Sequence, residues 1–313
     1  MWWARLRLEL FSRYGLFWAL GLLILALSLL SPYFLTPSNL LNILRQVSVN
    51  AILALGMTVV ILKAGIDLSV GSLLALAGAV AAGFALSGYP PALAMGMGVG
   101  LAVILGALQG LLVAYAGLPP FIVTLAGLTA FRGLTLVYTD GRPLTGLPDP
   151  FLFLGNGTLL GIPVPVLVML LFLFLTHVLL RYTAWGRYLY AIGGNEEAAR
   201  LSGVPVARIK VFAYAYSGLA AGLAALVLTG RLNSAQPTAG TGFELDAIAA
   251  AVVGGTSLAG GRGTAWGTFL GALIIGVLNN GMNLLNVSAF YQLIAKGVVI
   301  VLALLVDRLV RRR

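Results

Sequence analysis

Asn195-Glu196-Glu197-Ala198-Ala199-Arg200-Leu201-Ser202-Gly203 is a polar, helix-forming island between two long apolar runs, 163–181 and 210–230. A chain that only had to reverse direction would do so in a few residues. Here roughly thirty residues, Arg181 to Lys210, form one charged loop of helix formers. The loop reads as a surface for something in the aqueous phase. The runs beside it are long enough to cross a bilayer, whose hydrocarbon core of about 30 Å needs roughly 20 apolar residues in a helix.

The rest of the chain repeats that pattern. Of its 313 residues 60% are hydrophobic and 9% charged, against about 25% charged in soluble domains. Such a chain cannot coat a globule with water-compatible surface. The expected fold is all-α: a polytopic membrane protein of about ten transmembrane helices, forming one domain over residues 1–313. Spans are expected near 15–34, 46–63, 68–87, 92–115, 121–138, 163–181, 210–230, 245–261, 264–285 and 289–306. The segment 245–261 is short and Gly-rich and also fits a re-entrant loop. The first apolar run lacks an Ala-x-Ala-type site and reads as a retained span.

A net charge of +10 raises the question of nucleic acid, and its distribution answers it. Arg5, Arg7 and Arg13 against Glu9 leave +2. Arg181, Arg187, Arg200, Arg208 and Lys210 against Glu196 and Glu197 leave +3. Arg308, Arg311, Arg312 and Arg313 against Asp307 leave +3. Positive charge concentrated in loops and ends is the cytoplasmic signature of membrane proteins, so both termini and the 182–209 loop are expected in the cytoplasm, with no nucleic-acid partner. The long Gly- and Pro-rich segment 139–162 then faces outward.

Catalytic and metal chemistry find little support. There is no cysteine. His177 is alone and sits near the end of a span, where packing explains it. Gly260-Gly261-Arg262-Gly263 lacks the Lys-Ser/Thr ending of a phosphate loop. No Ser/His/Asp set or intramembrane acid pair can be assembled.

Polar residues within spans are costly in lipid, and they form stripes. Asn42, Gln46 and Asn50 recur every four residues on one helix face. Asn279, Asn283 and Asn286 make a second stripe, Gln292 and Lys296 a third. Two readings stay open: amide glue between helices, or a wetted path for a neutral, hydroxyl-rich solute that amides suit by both donating and accepting. Lys296 either reaches outward or pairs with Glu244 or Asp246. Lys63 and Asp67 flank a break at Gly65, where local pairing is expected. Small-xxx-small pairs at Gly106/Gly110, Gly218/Gly222 and Gly267/Gly271 predict close helix contacts.

At Glu197-Ala198-Ala199-x-x-x-Gly203 the chain resembles the permeases of ATP-binding-cassette (ABC) importers, whose corresponding motif docks on the ATPase. Further stretches resemble the ribose/xylose/galactose-type branch. They are Lys63-Ala64-Gly65-Ile66-Asp67-Leu68-Ser69-Val70-Gly71-Ser72, Pro119-Pro120-Phe121-Ile122-Val123-Thr124-Leu125-Ala126-Gly127, Ala191-Ile192-Gly193-Gly194-Asn195, and Glu244-Leu245-Asp246-Ala247-Ile248-Ala249-Ala250 running to Gly254-Gly255-Thr256-Ser257. The resemblance covers roughly residues 35–307. No Leu-Pro follows the docking motif at the usual distance, a departure shared with that branch.

The resemblance implies a permease subunit that moves a monosaccharide, a pentose such as ribose or a hexose, by ATP-driven alternating access. It implies a docking loop over about 182–209 containing Asn195, Glu196, Glu197, Ala198, Ala199, Arg200 and Gly203, and a family signature at Gly65, Asp67, Ser69 and Gly71. The implied partners are a cytoplasmic ABC ATPase, a periplasmic or lipoprotein sugar-binding protein and a second permease copy, homomeric or heteromeric, in a bacterial inner or plasma membrane. ATP and Mg would bind the ATPase, leaving this chain without cofactor or enzymatic activity. Nucleoside and branched-chain amino-acid permeases are the alternatives within the family; secondary transporters, channels and membrane enzymes are the alternatives outside it.

Overall fold

The structure, a computed structural model, describes backbone over residues 2–311 and side chains over 15–299 together with 301, 302 and 305. The charged arms at Arg5, Arg7, Glu9, Arg13, Asp307, Arg308 and Arg311–Arg313 lie outside the described side chains.

Helices α1 (Trp2–Leu30), α2 (Pro37–Leu62), α3 (Val70–Leu86), α4 (Pro91–Ala114) and α5 (Pro120–Thr139) form the first half. Three of these five start on a rule of local chemistry. Thr36 caps α2 by accepting from the Asn39 amide, and prolines occupy the first turns of α2, α4 and α5, where the missing N–H has no partner to lose. Helix α3 follows a non-helical break at residues 63–69.

The Gly- and Pro-rich segment 139–162 folds into β1 (Leu144–Thr145), α6 (Asp149–Asn156), β2 (Thr158–Leu159) and β3 (Ile162–Pro163). The second half runs α7 (Val164–Tyr182), α8 (Ala184–Gly194), α9 (Glu196–Leu201), α10 (Val206–Leu232), β4 (Ser234–Ala235), α11 (Phe243–Val253), α12 (Ala265–Leu284) and α13 (Ala289–Arg311). Among the described residues six helices, α2, α4, α5, α7, α10 and α12, are long and apolar enough to cross a membrane, and Gly15–Leu30, Val70–Leu86 and Ala289–Val299 are shorter apolar stretches.

Helix α2 is the axis of the bundle. From Ala51 to Leu62 its side chains are fully buried, packed by α7, α10, α11 and α12. The glycine pairs explain how the neighbours come so close. Gly106 of α4 faces Gly218 of α10, while Gly110 packs on Val211 of α10 and Gly222 on Val99 of α4. A Cβ at Gly218 would strike the Ala102 carbonyl, and one at Gly110 would lie 2.7 Å from the Val211 Cα. Gly267 and Gly271 of α12 likewise rest on the Gly254 and Ala250 carbonyls at the end of α11. All three motifs are therefore interhelical contacts, where close backbone approach replaces the hydrophobic drive that lipid removes.

Two crossings are broken. Strand β4 pairs with β1, Leu144 opposite Ala235, at one end of the bundle. The Gly260-Gly261 turn packs on Gly193 and Gly194, at the opposite end. Between them the chain has only α11, 11 residues, about 16 Å at 1.5 Å per residue. The expected span at 245–261 is thus a half-length helix preceded by irregular chain and followed by a loop. Helix α3, 17 residues, is also short, because residues 63–69 climb part of the way unwound. The two breaks touch where their helices begin, Gly71 against Gly240. Irregular backbone at membrane depth is tolerated where protein or a wetted cavity surrounds it.

Candidate functional site: the charged loop and the polar interior

The loop 182–209 is two helices set at an angle, each started by a side-chain cap. The Thr183 hydroxyl accepts from the Gly186 amide at 3.2 Å and opens α8. Asn195 Oδ1 accepts from the Ala198 amide at 2.9 Å and opens α9. Gly203 takes φ +83°, the left-handed conformation that ends a helix at little cost to glycine, and Val204 N–H closes the turn on the Ala199 carbonyl.

Charges tie this short helix to the bundle. Glu196 Oε1 accepts from Lys210 Nζ at 2.8 Å and from Arg200 Nη2 at 3.1 Å. Partial burial raises the Glu196 carboxyl, but Lys210 and then Arg200 outweigh it and hold it below the ordinary carboxylate value. Ala199 is buried against the bundle, while Glu197, Ala198 and Leu201 are exposed, Leu201 at 81%. Beneath lie two clefts of about 620 and 580 Å³, one along Tyr115, Pro205 and Arg208, the other along Lys63, Gly117 and Gly194.

The joint to the interior is backbone on backbone. A Cβ at Gly193 would strike both the Leu62 carbonyl, at the end of α2, and the Gly261 amide. The Gly261 N–H itself donates to that carbonyl at 2.9 Å. The end of α8, the end of α2 and the loop after α11 therefore meet at one point with no side chain between them.

Inside the bundle Asp67 organises the first break. Its Oδ1 accepts from the Ser69 amide and hydroxyl at 3.0 and 2.6 Å, and its Oδ2 from Ser217 of α10 at 2.7 Å. Gln109 of α4 bonds Ser69 in turn. Local pairing of Lys63 with Asp67 does not form. Two serines saturate the carboxylate, and the Lys63 ammonium sits over the Tyr214 ring, 4.1 Å from its centroid, a cation–π contact. The four signature positions share this region: Gly65 beside Lys63 and Tyr214, Asp67 and Ser69 in the network, Gly71 against Gly240.

At the second break Lys296 of α13 donates to Asp246 Oδ2 of α11 at 2.8 Å, which decides between its two sequence readings. Asp246 lies in the first turn of α11 beside Glu244, where negative charge suits the helix dipole. Arg132 of α5 donates to the Pro237 carbonyl and bolts the irregular segment before α11.

Residues 39–304 match the model of a family described as branched-chain amino acid transport system / permease component. The chain belongs to this permease family. It is 54% identical to the ribose import permease of Bacillus subtilis (strain 168), over 95% of this chain and 93% of that one. Against the ribose import permease of Escherichia coli (strain K12) identity is 54% over 92% and 91%, and against the D-allose transport system permease of the same strain 43% over 96% and 93%. No solved structure matches it. The chain is thus a multi-pass membrane protein and the permease component of a transport system, a role without catalysis of its own.

Within the permease the polar stripes divide. Gln292 Nε2 donates to Asn283 Oδ1 at 2.8 Å, joining the second and third stripes across α12 and α13. Asn42 accepts from Gln46 within α2 at 3.5 Å. Asn50 Oδ1 and Asn279 Oδ1 are buried with no partner among the described residues. Asn286 adopts φ +55° beyond the end of α12 and serves the turn. The firmest amide pair was not legible as a stripe: Asn39 and Asn280 exchange hydrogen bonds at 3.1 and 2.9 Å, linking α2 to α12. Asn280 stands one residue off the face traced by Asn279 and Asn283. Ser217 and Gln109 were likewise silent, since nothing local marks a serine as the partner of a carboxylate 150 residues away.

Proposed function

We propose that this permease is the membrane subunit of an ABC importer that carries ribose into a bacterial cell. What carries the reading is identity: 54% to ribose import permeases over nine-tenths of both chains, against 43% to the D-allose relative and 39% to a xylose one. In this reading the chain crosses the inner or plasma membrane ten times, the broken 234–253 segment counting as one crossing. Both termini and α8–α9 face the cytoplasm, following the positive-inside rule.

Helix α9 is the docking element for a separate ATPase, which holds ATP and Mg; this chain needs no cofactor. Asn195 and Gly203 define its ends, Glu196 and Ala199 fasten it, and Glu197, Ala198, Arg200 and Leu201 meet the partner. A sugar-binding protein delivers substrate to the opposite face, and a second permease copy completes the pore. Among the stripe residues, Asn50 and Asn279 fit a path, because a buried carbonyl oxygen without a protein partner is costly unless water or a sugar hydroxyl serves it. Asn42, Gln46, Asn283, Gln292 and Lys296 bond one another or Asp246, and these side chains would have to exchange partners for solute.

Co-expression with the ATPase and binding protein of a bacterial ribose importer tests the reading. Vesicles loaded with ATP should accumulate labelled ribose, with D-allose a weak competitor and leucine none. Uptake of leucine instead would move the chain to the amino-acid branch. Uptake by the isolated chain driven by a proton or sodium gradient would remove the ATPase from the mechanism.

A further inference from the structure

We infer that the cleft between the ends of α7 and α8 and the start of α12 is a binding site for the headgroup phosphate of an anionic phospholipid. The cleft has a volume of about 560 Å³ and is lined by His177, Arg181, Arg187, Tyr190, Thr264 and Trp266, with no acidic residue in its wall. Arg181 and Arg187 are exposed, and neither guanidinium forms an ion pair or hydrogen bond among the described residues.

Helix α12 opens on the same cleft with no acid in its first turn. Thr264 caps it by accepting from Gly267, leaving the Ala265 and Trp266 amides for another acceptor. The rear wall is held by Tyr190, whose hydroxyl donates to the Gly263 carbonyl at 2.8 Å. Two free guanidiniums and a helix N-terminus in one pocket call for an anion with several oxygens.

The surroundings choose the lipid. Leu170, Phe174, His177 and Arg181 recur at i, i+4, i+7 and i+11 and share one face of α7. Leu170 and Phe174 are exposed at 42% and 62%, as is expected of a lipid-facing stripe, and the stripe runs straight into the guanidinium. Trp266 and Tyr182, exposed at 52% and 70%, flank His177 edge-on at 6.3 and 5.9 Å, in the manner of the aromatic belt at a membrane interface. Acyl chains would lie along Leu170 and Phe174 while the phosphate sits between Arg181, Arg187 and the α12 amides, the arrangement expected of basic pockets between helices at a membrane face. The inference needs only a chain set in a bilayer and is independent of the transported solute.

Native mass spectrometry of the full chain in detergent with equal phosphatidylglycerol and phosphatidylcholine tests it. Wild type should carry phosphatidylglycerol adducts in excess. Arg181→Gln with Arg187→Gln should lower that preference about fivefold per guanidinium and about thirtyfold together. Arg208→Gln, elsewhere on the same loop, should leave it unchanged. Equal adducts of both lipids on wild type, an unchanged preference in the double variant or an equal fall in Arg208→Gln would each overturn the site. Displacement of the adducts by millimolar inorganic phosphate would show a site for free anions and overturn the lipid assignment.

Discussion

The end of the molecule built by α8 and α9 and the interior around α11 are both polar, yet they are held together differently. At the α8–α9 end the caps and stops are local: Asn195 caps three residues ahead, Glu196 pairs with Arg200 one turn on as well as with Lys210, and Gly203 stops the helix. Around α11 every device is distant: Asp246 meets Lys296 fifty residues later, and Arg132 reaches Pro237 across more than a hundred. The first region can keep its shape while moving as a unit. The second exists only while the bundle is assembled. A backbone joint, Gly193 on Leu62 and Gly261, and the Tyr190–Gly263 hydrogen bond connect them.

Three substitutions separate the two regions. The largest effect belongs to the interior. Lys296→Met leaves the buried Asp246 carboxylate unpaired, and breaking a buried pair by removing one partner costs about 3–5 kcal/mol. Thermal unfolding in detergent should show a large loss of stability, and Lys296→Met with Asp246→Leu should recover most of it. A single variant as stable as wild type would mean that the pair is solvated and not a structural tie.

The joint comes next. Gly193→Val drives a side chain into the Leu62 carbonyl and the Gly261 amide, and overpacking of this kind costs about 1–3 kcal/mol. Purified ATPase should still bind, because the α9 surface is untouched, while substrate-stimulated hydrolysis falls steeply. Normal stimulation would disconnect the two regions.

The smallest effect is on the local side. Glu196→Gln removes the anchor of α9, an exposed-to-half-buried pair of charges worth up to about 1 kcal/mol. The Glu196 carboxyl is held below its ordinary value in the folded chain, so its contribution is present above the unfolded value and fades as pH falls through the folded one. Amide protection at Ala199 and Arg200 should therefore decline in wild type below the ordinary carboxylate range and should show no such decline in Glu196→Gln. Parallel curves for the two proteins would assign the stability of α9 to its packing alone.

Reading the residues in order recovers much of this molecule because its governing constraint is one-dimensional. Lipid demands runs of apolar residues, and runs are visible in sequence: the six long spans and the charged loop lie where composition puts them. Caps and stops are visible for the same reason, since Asn195 and Gly203 act within a few residues of themselves. The glycine pairs were legible as contacts, though not which helix each would meet.

What remained for the tertiary structure is whatever depends on bringing distant segments together. The span expected at 245–261 became an 11-residue helix flanked by irregular chain, packed by close backbone contacts of Gly240 with Gly71 and of Gly254 with Gly267 that composition cannot place. Asp67 turned from Lys63 to Ser217 because a serine on α10 stood nearer its carboxylate than the lysine beside it in the chain, and Asn280, outside every stripe, pairs with Asn39. By itself the sequence determined that the chain lies in a membrane, where it leaves it and how the exposed loop begins and ends. Only the packed bundle decided which polar groups face one another, because a buried hydrogen bond is won by distance in space and not by spacing along the chain.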